Sequence, residues 1–309
     1  MAISLSRIRA FSEAVERPTC IAVARDGTIF VGSATGAVYR VSGDGKKAAV
    51  VAKTGGSVTG LAIAPDDAAD LAVCDVKKRA VMRVEVKSGK VGVWASGGLD
   101  EAGKVRAMER PARVAFARDG TLYVSDAGEA AGEPRRGGKG PVESGVVYRI
   151  DADGNGKVWA SSLAQPVGIL VGPWAGAEPV GEAEREEAVF VVCAGMGGVE
   201  RIRISPDGTA GERLVWTRVA PAGGPEVSAL VLDKRLNMYV SFARGGRICK
   251  VGPDRFVMPF VEDPEESRLS SAVDMAFAGK RFDNAYTVDA VKGRIVRVDM
   301  LLKGWRRSS

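Results

Sequence analysis

Residues 20–33 read CIAVARDGTIFVGS, and residues 114–126 repeat this stretch almost unchanged as VAFARDGTLYVSD. In each copy two short apolar runs flank an Asp-Gly pair, the turn signal that joins neighbouring antiparallel strands. A third run follows each copy, AVYRV at residues 37–41 and VVYRI at residues 146–150. The two stretches therefore predict one β-rich unit that recurs along the chain.

Six such units follow one another. Their innermost strands open at Ile21, Leu61, Val114, Ile169, Leu230 and Met275, so successive units are 40, 53, 55, 61 and 45 residues apart. A propeller blade consists of four strands in about 40–50 residues. The sequence therefore predicts an all-β, six-bladed β-propeller with four-stranded blades, three of which carry enlarged loops.

The two ends of the chain complete this prediction. After Met275 only three strands follow, whereas residues 3–11 resemble the fourth strands of the other units. We expect this N-terminal strand to complete blade six and close the ring, because an open ring would expose strand edges. The expected organisation is a single propeller domain over residues 1–309 with a basic C-terminal tail at residues 303–309.

Histidine is absent from all 309 residues. Ser-His and Cys-His nucleophile pairs and zinc sites with histidine ligands are therefore excluded. The cysteines lie far apart without a Cys-x-x-Cys pair, at Cys20, Cys74, Cys193 and Cys249. We expect them to be buried thiols in a reducing compartment.

Composition and charge bear on the location of the protein. The chain is 46% hydrophobic and 27% charged, and 44 basic against 38 acidic residues give a net charge of +6. Its apolar runs are far shorter than the roughly 20 residues that span a bilayer, so no membrane partner is expected. We expect a cytoplasmic or cytoskeletal rather than a secreted protein. Arg7 and Arg9 in an N-terminal segment without acids leave a mitochondrial location as the alternative.

The repeated pattern PxxIAVxxDGTIFV, which begins at Pro18, resembles the six-bladed propellers of the senescence marker protein and gluconolactonase family and of the NHL-repeat proteins. The resemblance covers nearly the whole chain. It implies lactone hydrolysis by a divalent cation at the mouth of the central channel. The implied ligands are a glutamate before the first innermost strand, asparagines where the third and fourth innermost strands begin, and an aspartate in the fifth.

This sequence departs from the implied ligand set. Glu16 matches the glutamate, but Ala112, Val167 and Ser228 stand at the other three positions. A hard cation needs several oxygen ligands, and alanine and valine side chains offer none. The six strand-start positions together read Thr, Thr, Ala, Val, Ser and Val, which predicts a small and nearly neutral rim with a degenerate metal site.

Two functions follow from this comparison. The lost ligands predict a non-catalytic scaffold, a subunit of a larger protein assembly that needs no cofactor. The alternative is a metal-dependent lactonase or ester hydrolase of the gluconolactonase type, with Ca²⁺ as the cation and a rearranged site. Its candidate catalytic residues are Glu16, Glu226, Asp274 and Asp126.

Basic residues outside the repeats indicate a partner. Candidate binding residues lie in the blade-three insertion and in the tail, at Arg135, Arg136, Lys139, Arg306 and Arg307. With the positive net charge they favour a partner with an acidic surface, either an acidic protein filament or an RNA-containing complex.

Overall fold

The computed structural model describes residues 2–65, 70–128, 143–174, 186–221, 226–278 and 284–300. Their strands form six antiparallel sheets, one for each predicted unit, and the all-β six-bladed propeller is confirmed. Within these ranges, two short 3-10 turns, Leu5–Arg7 and Ala194–Met196, accompany the strands.

Each blade contains four strands of the repeat, which in blades one to five follow chain order from the propeller axis outward. Blade one consists of β2 Pro18–Val23, β3 Ile29–Ser33, β4 Ala37–Val41 and β5 Ala48–Lys53. Blade two consists of β6 Val58–Ile63, β7 Asp70–Asp75, β8 Ala80–Glu85 and β9 Val91–Ala95. Blade three consists of β12 Pro111–Phe116, β13 Leu122–Asp126, β14 Gly145–Ile150 and β15 Gly156–Leu163.

The remaining blades follow the same plan. Blade four consists of β16 Pro166–Pro173, β17 Glu187–Cys193, β18 Gly198–Ile204 and β19 Ala210–Arg218. Blade five consists of β20 Val227–Leu232, β21 Met238–Phe242, β22 Arg247–Val251 and β23 Val257–Glu262. Blade six consists of β24 Met275–Ala278, β25 Asn284–Asp289, β26 Arg294–Asp299 and, as predicted, the N-terminal strand β1 Ile8–Ser12, which pairs with β26.

Blade three carries an additional hairpin that the repeat pattern does not predict. Its strands are β10 Gly97–Leu99 and β11 Val105–Ala107, and β10 pairs in parallel with the outermost strand β15. A Cβ atom at Gly98 would stand 2.6 Å from main-chain atoms of Gly156 and Lys157. The hairpin can therefore approach β15 this closely only with glycine at position 98.

The core consists of six apolar clusters, each of which draws its residues from two neighbouring blades. Between blades one and two, for example, the cluster includes Val38 and Val73, both fully buried. Because each sheet packs on the next all the way round, the blades hold the six innermost strands in a ring. We call the side at which the innermost strands begin the N-face and the side at which they end the C-face.

Buried aspartates fasten the loops of the N-face. Asp75 accepts hydrogen bonds from the amides of Ser57 and Lys77 at 2.9 and 3.0 Å, and Asp126 accepts them from Glu109 and Arg110 at 2.7 and 2.9 Å. A carboxylate at the end of a second strand thus ties down the loop that leads into the innermost strand of the same blade.

Candidate active site

Hydroxyl groups at the start of three innermost strands fasten neighbouring blades to each other. Thr19 Oγ1 donates to the carbonyl oxygen of Val58 at 2.8 Å, and Thr59 Oγ1 donates to that of Pro111 at 2.8 Å. Ser228 Oγ donates in the same way to the carbonyl oxygen of Val273 at 2.7 Å. These three hydroxyls therefore serve the contact between blades.

The guanidinium group of Arg113 lies in the channel just below this ring of strand starts. Its Nη1 donates to the carbonyl oxygens of Thr59 and of Ala112, the latter at 3.1 Å. Its Nη2 donates to those of Val273 at 2.6 Å and Thr19 at 3.4 Å. One side chain thus contacts the main chain of blades one, two, three and six.

Asp274 faces Arg113 across the channel. Its Oδ1 lies 3.5 Å from Arg113 Nε and accepts a hydrogen bond from the amide of Met275 at 3.0 Å, while Oδ2 accepts one from the amide of Ile21 at 3.0 Å. The two side chains are only 14% and 11% exposed. Burial raises the pKa of the Asp274 carboxyl above its usual 3.8, and the charge of Arg113 opposes this rise.

This charged pair forms the N-face end of a cavity of about 730 Å³ that all six innermost strands line. The opposite end lies at turns on the C-face, where the lining includes Arg25, Asp26 and Pro65. Between the ends, every innermost strand contributes three consecutive apolar residues, at 21–23, 61–63, 114–116, 169–171, 230–232 and 275–277. Each of these strands is also the inner edge of its sheet, so main-chain groups that pair with no neighbouring strand face the same space.

The sequence predicts Asp274 as a candidate but misses its partner Arg113. Both directly precede one of the six residues by which the sequence units are aligned, Val114 for Arg113 and Met275 for Asp274. At the same position the other four blades have Cys20, Gly60, Gly168 and Ala229. Four small residues with one arginine and one aspartate are therefore the signal that identifies the pair. The prediction of a nearly neutral rim concerned the position one residue earlier in each blade, so it does not include this pair.

The other three candidate catalytic residues lie outside the cavity lining. Glu16 and Glu226 are exposed on the N-face. Asp126 is buried and holds the loop amides described above. The structure therefore does not bring these three together with Asp274.

Cys20 occupies the position in blade one that Arg113 and Asp274 occupy in blades three and six. It is fully buried, and burial raises its pKa to about 12. A thiolate is the reactive form of cysteine, so this residue is not poised for nucleophilic attack.

The divalent cation that the resemblance implies does not fit these residues. Ala112 and Val167 provide no side-chain oxygen, and the hydroxyl of Ser228 is engaged with Val273. The positive guanidinium of Arg113 already binds the carbonyl oxygens of the channel. Among the described residues, no group of three or more Cys, Asp and Glu side chains is arranged to hold a metal ion.

The basic candidates for partner binding lie outside the described residues. They are Arg135, Arg136, Lys139, Arg306 and Arg307. An acidic partner stays a prediction. In the parts of the chain that the structure describes, no helix is long and apolar enough to cross a membrane.

Comparison with known proteins yields structural matches alone. No protein-family model and no curated protein sequence matches the chain. Among solved structures, regucalcin from Agrobacterium tumefaciens, a calcium-binding protein, has a TM-score of 0.70 at 14% identity and covers 96% of this chain and 95% of its own. A gluconolactonase from Xanthomonas campestris has a TM-score of 0.68 at 17% identity and covers 94% of this chain and 88% of its own. A luciferin-regenerating enzyme has a TM-score of 0.69 at 15% identity and covers 96% and 97%.

These neighbours correct the predicted function. The prediction of a non-catalytic scaffold subunit is wrong. The structural neighbours of the chain include two proteins named as enzymes, and these favour the alternative of a lactone or ester hydrolase. The scaffold prediction rested on the loss of three metal ligands, and it did not include Arg113 beside the candidate Asp274. The chain shares the six-bladed propeller fold of this gluconolactonase, regucalcin and the luciferin-regenerating enzyme.

Proposed function

We propose that the protein hydrolyses lactones or related esters at the Arg113–Asp274 pair in the central cavity. The observation that carries the proposal is the placement of a guanidinium and a carboxylate, both nearly buried, at one end of a cavity of about 730 Å³. Cavities of this size are typical of small-molecule sites. Buried charged pairs in cavities are more often functional than exposed ones. The name of the gluconolactonase neighbour gives the same reaction class.

Ester hydrolysis requires a positive charge near the carbonyl oxygen, where negative charge develops in the transition state. The guanidinium of Arg113 supplies this positive charge. Its Nε is buried and has no hydrogen-bond partner among the described residues. A buried donor without a partner is costly, so an oxygen atom of the substrate that accepts from it would gain affinity.

The reaction also requires a base that accepts a proton from the attacking water. The Asp274 carboxylate has about four acceptor sites and uses two of them for the amides of Ile21 and Met275, so a water molecule can still bind to it. In the proposed step the water oxygen bonds to the carbonyl carbon and its proton passes to Asp274. The C–O bond of the lactone then breaks, and Asp274 returns the proton to the leaving alkoxide. The products are one carboxylic acid and one alcohol, joined in a single hydroxy acid when the substrate is a lactone.

The proposal is tested by measuring initial rates on glucono-δ-lactone, γ-butyrolactone and phenyl acetate with protein freed of metal by a chelator. Arg113→Gln and Asp274→Asn should each lower kcat/KM by roughly 100-fold or more, the usual loss for a charge-stabilising donor or a general base. Asp126→Asn is the matched control, because Asp126 is buried but lies outside the cavity lining. It should lower Tm while the folded fraction keeps its rate.

Three results would contradict the proposal. The wild-type protein hydrolyses none of the three substrates, or Asp274→Asn keeps the wild-type rate, or hydrolysis appears only after Ca²⁺ is returned. The third result would show that a cation, rather than Arg113, supplies the positive charge.

A further inference from the structure

The carbonyl oxygens around Arg113 have the arrangement of a cation-binding site. Those of Thr19, Thr59, Ala112 and Val273 converge on one guanidinium, and the Asp274 carboxylate lies beside it. We infer that these groups form a guanidinium-binding site which the chain's own Arg113 occupies. The side chain is then a tethered cation that holds four blades together at the N-face.

The small residues at the equivalent positions leave room for this one long side chain. They are Cys20, Gly60, Gly168 and Ala229. A Cβ atom at Gly60 would stand 2.8 Å from the Cα of Arg113 and 2.5 Å from the carbonyl oxygen of Ala112. Glycine at position 60 is therefore required for the observed position of Arg113.

Without a cation, three of these four carbonyl groups would lose the donor described above, those of Thr19, Thr59 and Ala112. They lie where innermost strands begin, and the inner edges of those strands have no neighbouring strand. The carbonyl oxygen of Val273 differs, because it also accepts from Ser228 Oγ at 2.7 Å. Buried carbonyl groups need a hydrogen-bond donor, and a guanidinium offers five donors in a planar fork. Asp274 also offsets the charge of the guanidinium. Removal of the arginine side chain therefore takes a donor from these carbonyl oxygens and leaves the buried Asp274 carboxylate without its counter-charge.

Arg113→Ala is the decisive variant, because it empties the site without altering the carbonyl oxygens. We expect its Tm to fall, and we expect millimolar guanidinium chloride to raise it again along a saturating curve, as a ligand that binds only the folded state does. Urea has a similar shape without the charge, and tetramethylammonium has the charge without hydrogen-bond donors. Neither should raise the Tm of the variant, and guanidinium should not raise that of the wild type.

A matched control removes an arginine that pairs on the surface. Arg9 is 71% exposed and pairs with Asp299, with 3.9 Å between Nη2 and Oδ2. Arg9→Ala should lose little stability, and guanidinium should not restore it. Should Arg113→Ala fail to fold alone, its refolding yield from urea is compared with and without guanidinium, and the inference expects folded protein only with guanidinium.

Two outcomes would overturn the inference. In the first, guanidinium neither raises the Tm nor restores the refolding of Arg113→Ala. In the second, urea or tetramethylammonium does so equally well. These experiments measure Tm and refolding yield and do not measure hydrolysis. The inference can therefore hold when the protein shows no hydrolysis, and it can fail while hydrolysis is observed.

Discussion

At the scale of single residues, the sequence identifies half of the charged pair. Asp274 is a candidate because an acid next to a channel position can act in hydrolysis. Arg113 is missed because arginines recur throughout this chain, mostly on outer strands such as β4 and β8. The physical reason is that a propeller brings residues 113 and 274, which are 161 positions apart in the chain, to one axis. Without the register of all six innermost strands, their proximity is not visible.

The raised pKa of Asp274 leads to a prediction about stability and pH. In the unfolded chain this carboxyl loses its proton near pH 3.8, whereas in the folded protein burial keeps the proton to higher pH. Between the two pKa values the folded state binds more protons, so this group's contribution to the free energy of unfolding falls as the pH rises through that window. Asp274→Asn removes the titration. Its stability relative to the wild type should therefore improve from pH 3.8 upward, measured by urea unfolding at a series of pH values.

Asp151 provides a control, because its pKa is lowered in the folded protein whereas that of Asp274 is raised. It is exposed and accepts hydrogen bonds from the side chain and main chain of Asn155, which lower its pKa. Its contribution to stability is therefore lost as the pH falls, and Asp151→Asn should show no relative gain as the pH rises. If Asp274→Asn behaved like Asp151→Asn, Asp274 would be stabilised as the folded carboxylate, contrary to our expectation.

At the scale of the strands, the sequence predicts which segments pair but not how the blades are joined. The Asp-Gly turns and alternating apolar runs predict the hairpins, because these signals are local. The hairpin β10–β11 is missed because its strands have three residues each and pair with a strand more than 50 positions away. The hydroxyl contacts between blades are missed for the same reason: Thr59 and Pro111 are 52 positions apart.

The contact of Thr59 with Pro111 leads to a prediction about blade packing. Valine has nearly the shape of threonine, so Thr59→Val removes the hydroxyl without opening space and leaves the Pro111 carbonyl oxygen without this donor. We expect a loss of about 1 kcal/mol in the free energy of unfolding, the usual value for one hydrogen bond. Urea unfolding measures it. Thr209→Val, at an exposed turn where the hydroxyl binds Asp207, should lose less. Equal losses would mean that the contact between blades contributes nothing specific.

At the scale of the whole molecule, the ring is closed by the pairing of β1 with β26. Ile8 pairs with Val298, is fully buried, and belongs to the apolar cluster between blades five and six. Burial of one isoleucine contributes about 1.5–3 kcal/mol, against about 5–15 kcal/mol for the stability of a typical domain. Deletion of residues 1–12 removes this burial and exposes the edge of β26. We expect a large fall in Tm and concentration-dependent aggregation, measured by calorimetry and size-exclusion chromatography.

A variant with β1 moved to the C-terminal end of the chain tests whether the pairing of β1 with β26 closes the ring, independently of where β1 stands in the sequence. The two strands are antiparallel, and Ile8 lies opposite Val298 near the end of β26, so a short turn after residue 300 can lead through residues 3–7 into β1. A variant that begins at residue 13 and carries residues 3–12 after such a turn should regain most of the Tm lost on deletion, because the same register and the same burial of Ile8 are restored. Its counterpart with Ile8→Asp cannot bury that side chain without cost and should remain as unstable as the deletion. If the rearranged chain stayed unstable too, the N-terminal segment would stabilise the propeller through its covalent connection to blade one, and strand pairing would not be what closes the ring.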